Sequence, residues 1–167
     1  MPELKEAISS GEYFVWECPE CRCRNLYSGP FLYTDPGLGL LLLLSSEDVK
    51  SEGEIPGFTA RQVKTVGEFV EKIKIAEAGL DDIAVELSKF VTAQEIGRPV
   101  ELKFFRTDGP DHDITLTYPW KGQMEMVQIG FNVYQDCCAI LSRNPVIAQS
   151  ARGLVRVDGN FIAQFIA

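Results

Sequence analysis

The most regular pattern in the chain is helical. Val66, Phe69, Val70, Ile73 and Ala76 recur at spacings of three and four, which puts them on one side of a helix. Thr65 and Glu68 stand ahead of this run as a capping-box pair, in which the hydroxyl serves the Glu68 amide and the carboxylate serves the Thr65 amide. Gly79 suits a left-handed C-cap. Asp81 and Asp82 open a second helix with Ile83, Leu87, Phe90 and Val91 on one face, closed by Gly97 and Pro99. Tyr134, Cys137, Cys138 and Leu141 mark a third, ending at Asn144-Pro145.

Between and around these helices the period changes to two. Val100, Leu102 and Phe104 alternate, then Asp108-Gly109-Pro110 turns. Ile114, Leu116 and Tyr118 alternate, Pro119-Trp120-Lys121-Gly122 turns, and residues 124–131 complete a meander. Nearer the N-terminus, residues 2–9 predict a short helix, with Pro2 in its first turn and Gly11 as its stop. Residues 13–17 and 26–33 predict strands, the second broken at Gly29-Pro30. Asp35-Pro36-Gly37 is a turn. The apolar run 38–44 predicts a buried strand, 45–56 a surface loop and 58–64 another strand. Residues 154–157 read as a strand, Asp158-Gly159 as a turn and 161–166 as a terminal apolar element. Helices grouped with hairpins, without alternating βαβ units, predict an α+β fold: an antiparallel sheet with packed helices.

Composition narrows the function classes. Apolar residues make up 46% of 167, enough for a core. The formal charge of -8 and the lack of a Lys/Arg run argue against nucleic-acid or anionic-membrane partners. The run 38–44 is too short to span a bilayer and lies far from any basic N-terminal leader. A soluble cytoplasmic protein is therefore expected. The five cysteines, odd in number and clustered, do not resemble a secreted disulfide framework.

Cys18-Pro19-Glu20-Cys21, with Cys23 two residues on, carries the most chemistry. Two intervening residues let both thiolates of a Cys-x-x-Cys turn reach one zinc ion, and the proline fixes φ in the turn. Arg22 stands where glycine would suit the sharp bend. Redox pairs share the spacing but normally open a helix after a strand, and 22–25 do not look like one. Incidental surface or core cysteines are the third reading. Cys18, Cys21 and Cys23 are the candidate metal ligands, one short of a tetrahedral set. No second Cys-x-x-Cys or histidine pair follows. Cys137 and Cys138 are adjacent and fall on an apolar helical face, so they read as core residues.

Roughly the first 95 residues resemble the bacterial and archaeal CpXC family, named for its Cys-Pro-x-Cys motifs. Pro2-Glu3-Leu4-Lys5-Glu6-Ala7-Ile8 is similar to the helix before the family's second motif, and Cys18-Pro19-Glu20-Cys21 to that motif. Gly79-Leu80-Asp81-Asp82, followed by Glu86, Leu87 and Lys89, resembles its acidic helix start, and Leu154-Val155-Arg156-Val157-Asp158 weakly resembles its end. The resemblance implies prokaryotic origin and a structural zinc ribbon whose other half would precede Met1, either lost or outside this sequence. It implies no reaction. On this reading residues 1–36 are half of a zinc-ribbon-like segment and 37–167 an α+β domain.

The remaining candidates are weaker. His112, between Asp111 and Asp113, reads as a solvated turn histidine; the sharper alternative pairs it with Cys137 or Cys138 as a nucleophile. Glu77, Asp81, Asp82 and Glu86 cluster where helices meet. They could bind Mg²⁺ or transfer protons, but Asp81 and Asp82 are also natural caps. Arg98, Lys103 and Arg106 form no basic run, and Trp16 and Trp120 read as packing anchors. No Gly-x-Gly-x-x-Gly, P-loop, Gly-x-Ser-x-Gly or His-Glu-x-x-His is present. The leading expectation is a non-enzymatic, protein-facing module with a zinc knuckle and no other cofactor. The alternatives are a small hydrolase or transferase using His112 with a cysteine or the Asp81/Asp82 carboxylates, and a homo-oligomeric scaffold joined through 161–166.

Overall fold

A computed structural model of the chain describes Ile8, the backbone of residues 15–17 and 24–26, residues 30–47 and residues 55–166. Strands β1 (Val15–Glu17) and β2 (Arg24–Leu26) pair antiparallel, with Val15 opposite Leu26 and Glu17 opposite Arg24. The strand expected over 26–33 is thus two pieces. Pro30 has no N–H to give a ladder, and the chain starts afresh as β3 (Phe31–Asp35) in a different sheet. Ile8 is helical and buried, in line with a helix over 2–9; the rest of that stretch lies outside the described residues.

β3 forms a hairpin with β4 (Leu40–Leu44). The turn is tied by Asp35, whose backbone and side-chain oxygens both accept from the Leu38 amide at 3.2 Å. The β3–β4 hairpin turns through positions 36–39. β5 (Thr59–Val63) lies on the other side of β4, and this pair is parallel, Leu40 opposite Thr59 through Leu44 opposite Val63. Hairpins had been expected throughout. A parallel pair cannot close through a tight turn, which accounts for the long connection over 45–58. As the central strand, β4 buries Leu40, Leu42 and Leu44.

Helix α1 (Val66–Glu77) begins as predicted at Thr65, whose Oγ1 accepts from the Glu68 amide at 3.1 Å. The return arm differs: Glu68 Oε2 accepts from the Lys64 amide at 2.9 Å rather than from Thr65. Thr65→Ala should cost about 1 kcal/mol, measurable by urea unfolding. The helix ends in a Schellman pattern, with Gly79 N–H to Ala76 O at 3.0 Å and Leu80 N–H to Ile75 O at 3.1 Å. Helix α2 (Asp82–Ile96) is capped by Asp81 and closed by left-handed Gly97. A single apolar face was expected for it, yet every residue from Asp82 to Lys89 is buried.

The second three-stranded sheet is an antiparallel meander of β6 (Lys103–Asp108), β7 (Asp113–Trp120) and β8 (Gln123–Ile129). The second turn is tighter than predicted. β7 continues through Pro119 and Trp120, and Lys121 and Gly122, both with positive φ, make the two-residue turn. Proline is tolerated because pairing of β7 with β6 ends at Thr117. Helix α3 (Phe131–Ser142) leads into α4 (Pro145–Ser150), which the sequence pattern did not reveal. The strand expected over 154–157 is only a bridge between Arg61 and Val155. The apolar end includes helix α5 (Gly159–Ala163), capped by Asp158 and packed on α2. Its Phe161 and Ile162 are buried in the chain's own core, while Ile166 stays exposed.

Two apolar clusters result. The larger lies between α2, α3, α5 and the β6–β8 meander; the smaller unites Ile8, β4, Val63, Phe69 and Ile73. The architecture is α+β, built from the β1–β2 pair, a mixed three-stranded sheet and an antiparallel meander, with their helices. Among the described residues no helix is long and apolar enough to cross a membrane.

Candidate functional site

Charged side chains occupy the seam between β5, α1 and α2. Asp82, Glu86 and Lys89 lie four and three residues apart, so one face of α2 carries all of them inward. Glu71 and Lys72 meet them from α1 and Arg61 from β5, and all these residues are buried. Arg61 lies bidentate on Asp82, Nε at 2.7 Å and Nη2 at 3.1 Å. Lys72 Nζ reaches Asp82 Oδ2 at 2.8 Å. Lys89 Nζ sits between Glu71 at 2.7 Å and Glu86 at 2.8 Å. Glu71 also accepts the Phe104 amide, linking the cluster to β6. Arg61 Nη1 donates to Ala151 O at 3.1 Å and Lys72 to Val157 O at 2.8 Å, drawing in the C-terminal segment.

Three cations and three carboxylates neutralise one another here, as burial demands. Burial works against ionisation of Asp82, but Lys72 and Arg61 outweigh it and hold the carboxyl well below its ordinary range. Burial pushes Glu86 up against the opposing pull of Lys89 and Lys72. Burial also opposes the Lys89 ammonium, yet Glu86 and Glu71 hold its pKa above the ordinary value. A cavity of about 580 Å³ opens beside Arg61, Lys72 and Asp82, walled by Leu40, Phe58 and Leu80. A second, of about 270 Å³, lies by Glu71, Lys89 and Arg156.

The acidic residues singled out in the sequence do not converge. Asp81 caps α2 through the Ile83 amide at 2.9 Å, as expected of it. Asp82 is instead locked to two cations, which leaves it a weak base and a poor offer to Mg²⁺. Glu86 lies one turn further along α2, bound to Lys89, and Glu77 is exposed at the end of α1. The interior role of Asp82, Glu86 and Lys89 was missed because Asp82 reads as a cap and Glu86 as one of an acidic cluster at a helix junction. Their shared face with buried neighbours was the available signal.

His112 is exposed in the β6–β7 turn at φ 54°, with its ring 6.1 Å from that of Phe131. Cys137 is buried, and burial pushes its thiol up, which disfavours the reactive thiolate. A buried thiol and an exposed imidazole speak against the version of the nucleophile pair that uses Cys137. Arg98 stacks on Trp120 at 4.0 Å, and Arg106 pairs with Asp108 at 2.7 Å. Lys103 has only a 3.8 Å contact with Glu101. Trp120 is a partly buried anchor of the larger core, while the side chain of Trp16 is outside the described residues. So are Cys18, Cys21 and Cys23. Among the described residues no group of three His, Cys, Asp or Glu could hold a metal ion.

An α+β chain with a cysteine-bearing N-terminal segment and a buried charge cluster is the class these features define. A family model described as CpXC protein matches residues 1–89, more than half of the 167, and the chain belongs to the CpXC family. The matched stretch holds the cysteine motif and all of the buried charges from Arg61 to Lys89. No curated protein and no solved structure matches the chain.

Proposed function

We propose that this CpXC protein is a non-catalytic, protein-facing module of the bacterial cytoplasm whose residues 18–23 hold a structural zinc ion. The β1–β2 pairing carries this reading. Glu17 and Arg24 are partners across the strands, and Cys18 and Cys23 are their immediate neighbours in the chain, with Cys21 between. Three thiolates would leave one position of a tetrahedron for a ligand from a second chain or a preceding segment. The self-neutralised charge cluster and the raised Cys137 thiol support a frame rather than a reaction centre.

Metal analysis after reconstitution should return about one zinc per ligand set, and Cys18→Ser should lower both zinc content and melting temperature. Zinc well below one equivalent, with melting unchanged in C18S, would sink the metal reading. Turnover of a p-nitrophenyl ester that is abolished by His112→Ala or Cys137→Ser would replace the module with a hydrolase.

A further inference from the structure

The larger cavity, about 580 Å³, falls in the size range of small-molecule sites. Two buried cations, Arg61 and Lys72, line it with one buried carboxylate, Asp82. The compensating charge lies elsewhere: Glu71 and Glu86 are both bound to Lys89, and these three line the second cavity instead. The buried lining of the larger cavity therefore carries one cation in excess, against the trend of a chain at -8. At its exposed part Asp81 and Arg152 balance each other in charge. The two buried cations are neighbours, since Arg61 Nε and Lys72 Nζ meet on one oxygen, Asp82 Oδ2, at 2.7 and 2.8 Å. Neither is fully used. A guanidinium has five N–H groups and an ammonium three. Arg61 donates to both Asp82 oxygens, Ala60 O and Ala151 O, and Lys72 to Asp82 and Val157 O. Each cation thus keeps one N–H without an acceptor among the described residues. The rest of the wall is largely apolar, with Leu40, Phe58, Ile75 and Leu80.

We propose that this cavity is a binding site for a small monocarboxylate with a compact apolar body, its head on Arg61 and Lys72 and its body against Leu40, Phe58, Ile75 and Leu80. A single negative charge matches the single cation in excess, and a second would be buried without a partner. A carboxylate also brings two acceptor oxygens, one for each N–H left over, in charge-assisted bonds. A neutral or cationic occupant would leave the excess charge unanswered. The apolar walls favour an anion that carries hydrocarbon over a bare inorganic one. The inference goes beyond the module reading and does not need its zinc: it is decided by binding of a small molecule, whereas that reading is decided by metal content.

Titration calorimetry with octanoate is the test. It should give saturable one-to-one binding with a dissociation constant of about 1 mM or below. Octanol, the same body without the charge, should bind about tenfold more weakly or worse, and inorganic phosphate, a charge without the body, should give no saturable binding. Arg152→Glu reverses the exposed charge on the lining and should weaken octanoate about threefold or more. Ala148→Trp places a large side chain at another exposed lining position and should weaken it about tenfold. Circular dichroism and melting should be unchanged in both. Val146 belongs to a separate apolar groove with Ile140 and Ile166, so Val146→Glu should leave octanoate binding intact. No saturation below about 1 mM, octanol or phosphate binding as well as octanoate, indifference to both R152E and A148W, or loss of binding in V146E would overturn the proposal. If one lining variant fails to fold, the other and the comparison of octanoate with octanol still decide.

Discussion

Asp82→Ala should be the most damaging single change to the charge cluster, lowering stability by about 3–5 kcal/mol. At a few degrees per kcal/mol for a chain of this size, that is a fall in melting temperature of about 6–20 °C. Removing the carboxylate leaves Arg61 and Lys72, both buried, without their shared counter-ion. The remaining carboxylates, Glu71 and Glu86, are already committed to Lys89. The acid limb of the stability curve should change too. The folded pKa of Asp82 lies below its unfolded value, so its contribution is fully present above pH about 4 and is lost as pH falls toward the folded value. In D82A that contribution is gone, and the decline below pH about 4 should be shallower. Urea unfolding at several pH values measures both effects. A loss under about 1 kcal/mol would mean that water entering the adjoining cavity serves the stranded cations.

Phe69→Ala tests the smaller apolar cluster and should cost about 3–5 kcal/mol. Phe69 is fully buried and meets Phe31 and Tyr33 edge-on at 5.8 and 5.7 Å. Little else is available to refill the space, because the cluster draws on β4, Val63, Ile73 and Ile8. Calorimetry should still show one transition in F69A. Glu71 and Lys72 follow Phe69 by less than a turn and tie α1 to α2 and β6, and through Asp82 to Arg61 of β5, so the smaller cluster cannot melt while the cluster of charges stays formed. Two separated transitions would show that the two apolar clusters are independent.

The caps and periods of α1 and the alternation of Ile114, Leu116 and Tyr118 were legible because each is set by neighbours in sequence. The partner of β4 was not. A run of five leucines says that a strand is buried, but not whether the next strand runs with it or against it. α4 was hidden for a related reason: Pro145 to Ser150 buries no side chain, so it leaves no periodic trace. At the charge cluster the residue types worked against recognition. Asp82, Glu86 and Lys89 sit on a face that is buried because Arg61 and Lys72 arrive from elements 21 and 10 residues away. The hairpin that brackets Cys18 and Cys23 was partly legible, since the aromatic run before the motif predicted β1, while the return strand was placed too late.

The carbonyls that complete Arg61 and Lys72 come from Ala151 and Val157, 90 and 85 residues further along the chain. During synthesis those acceptors leave the ribosome long after the cations that need them. Until then Arg61 and Lys72 lack those two acceptors, and water has to serve them. The charge cluster is therefore completed only once residues 151–157 have emerged and reached β5, not by the helices and sheets that precede them.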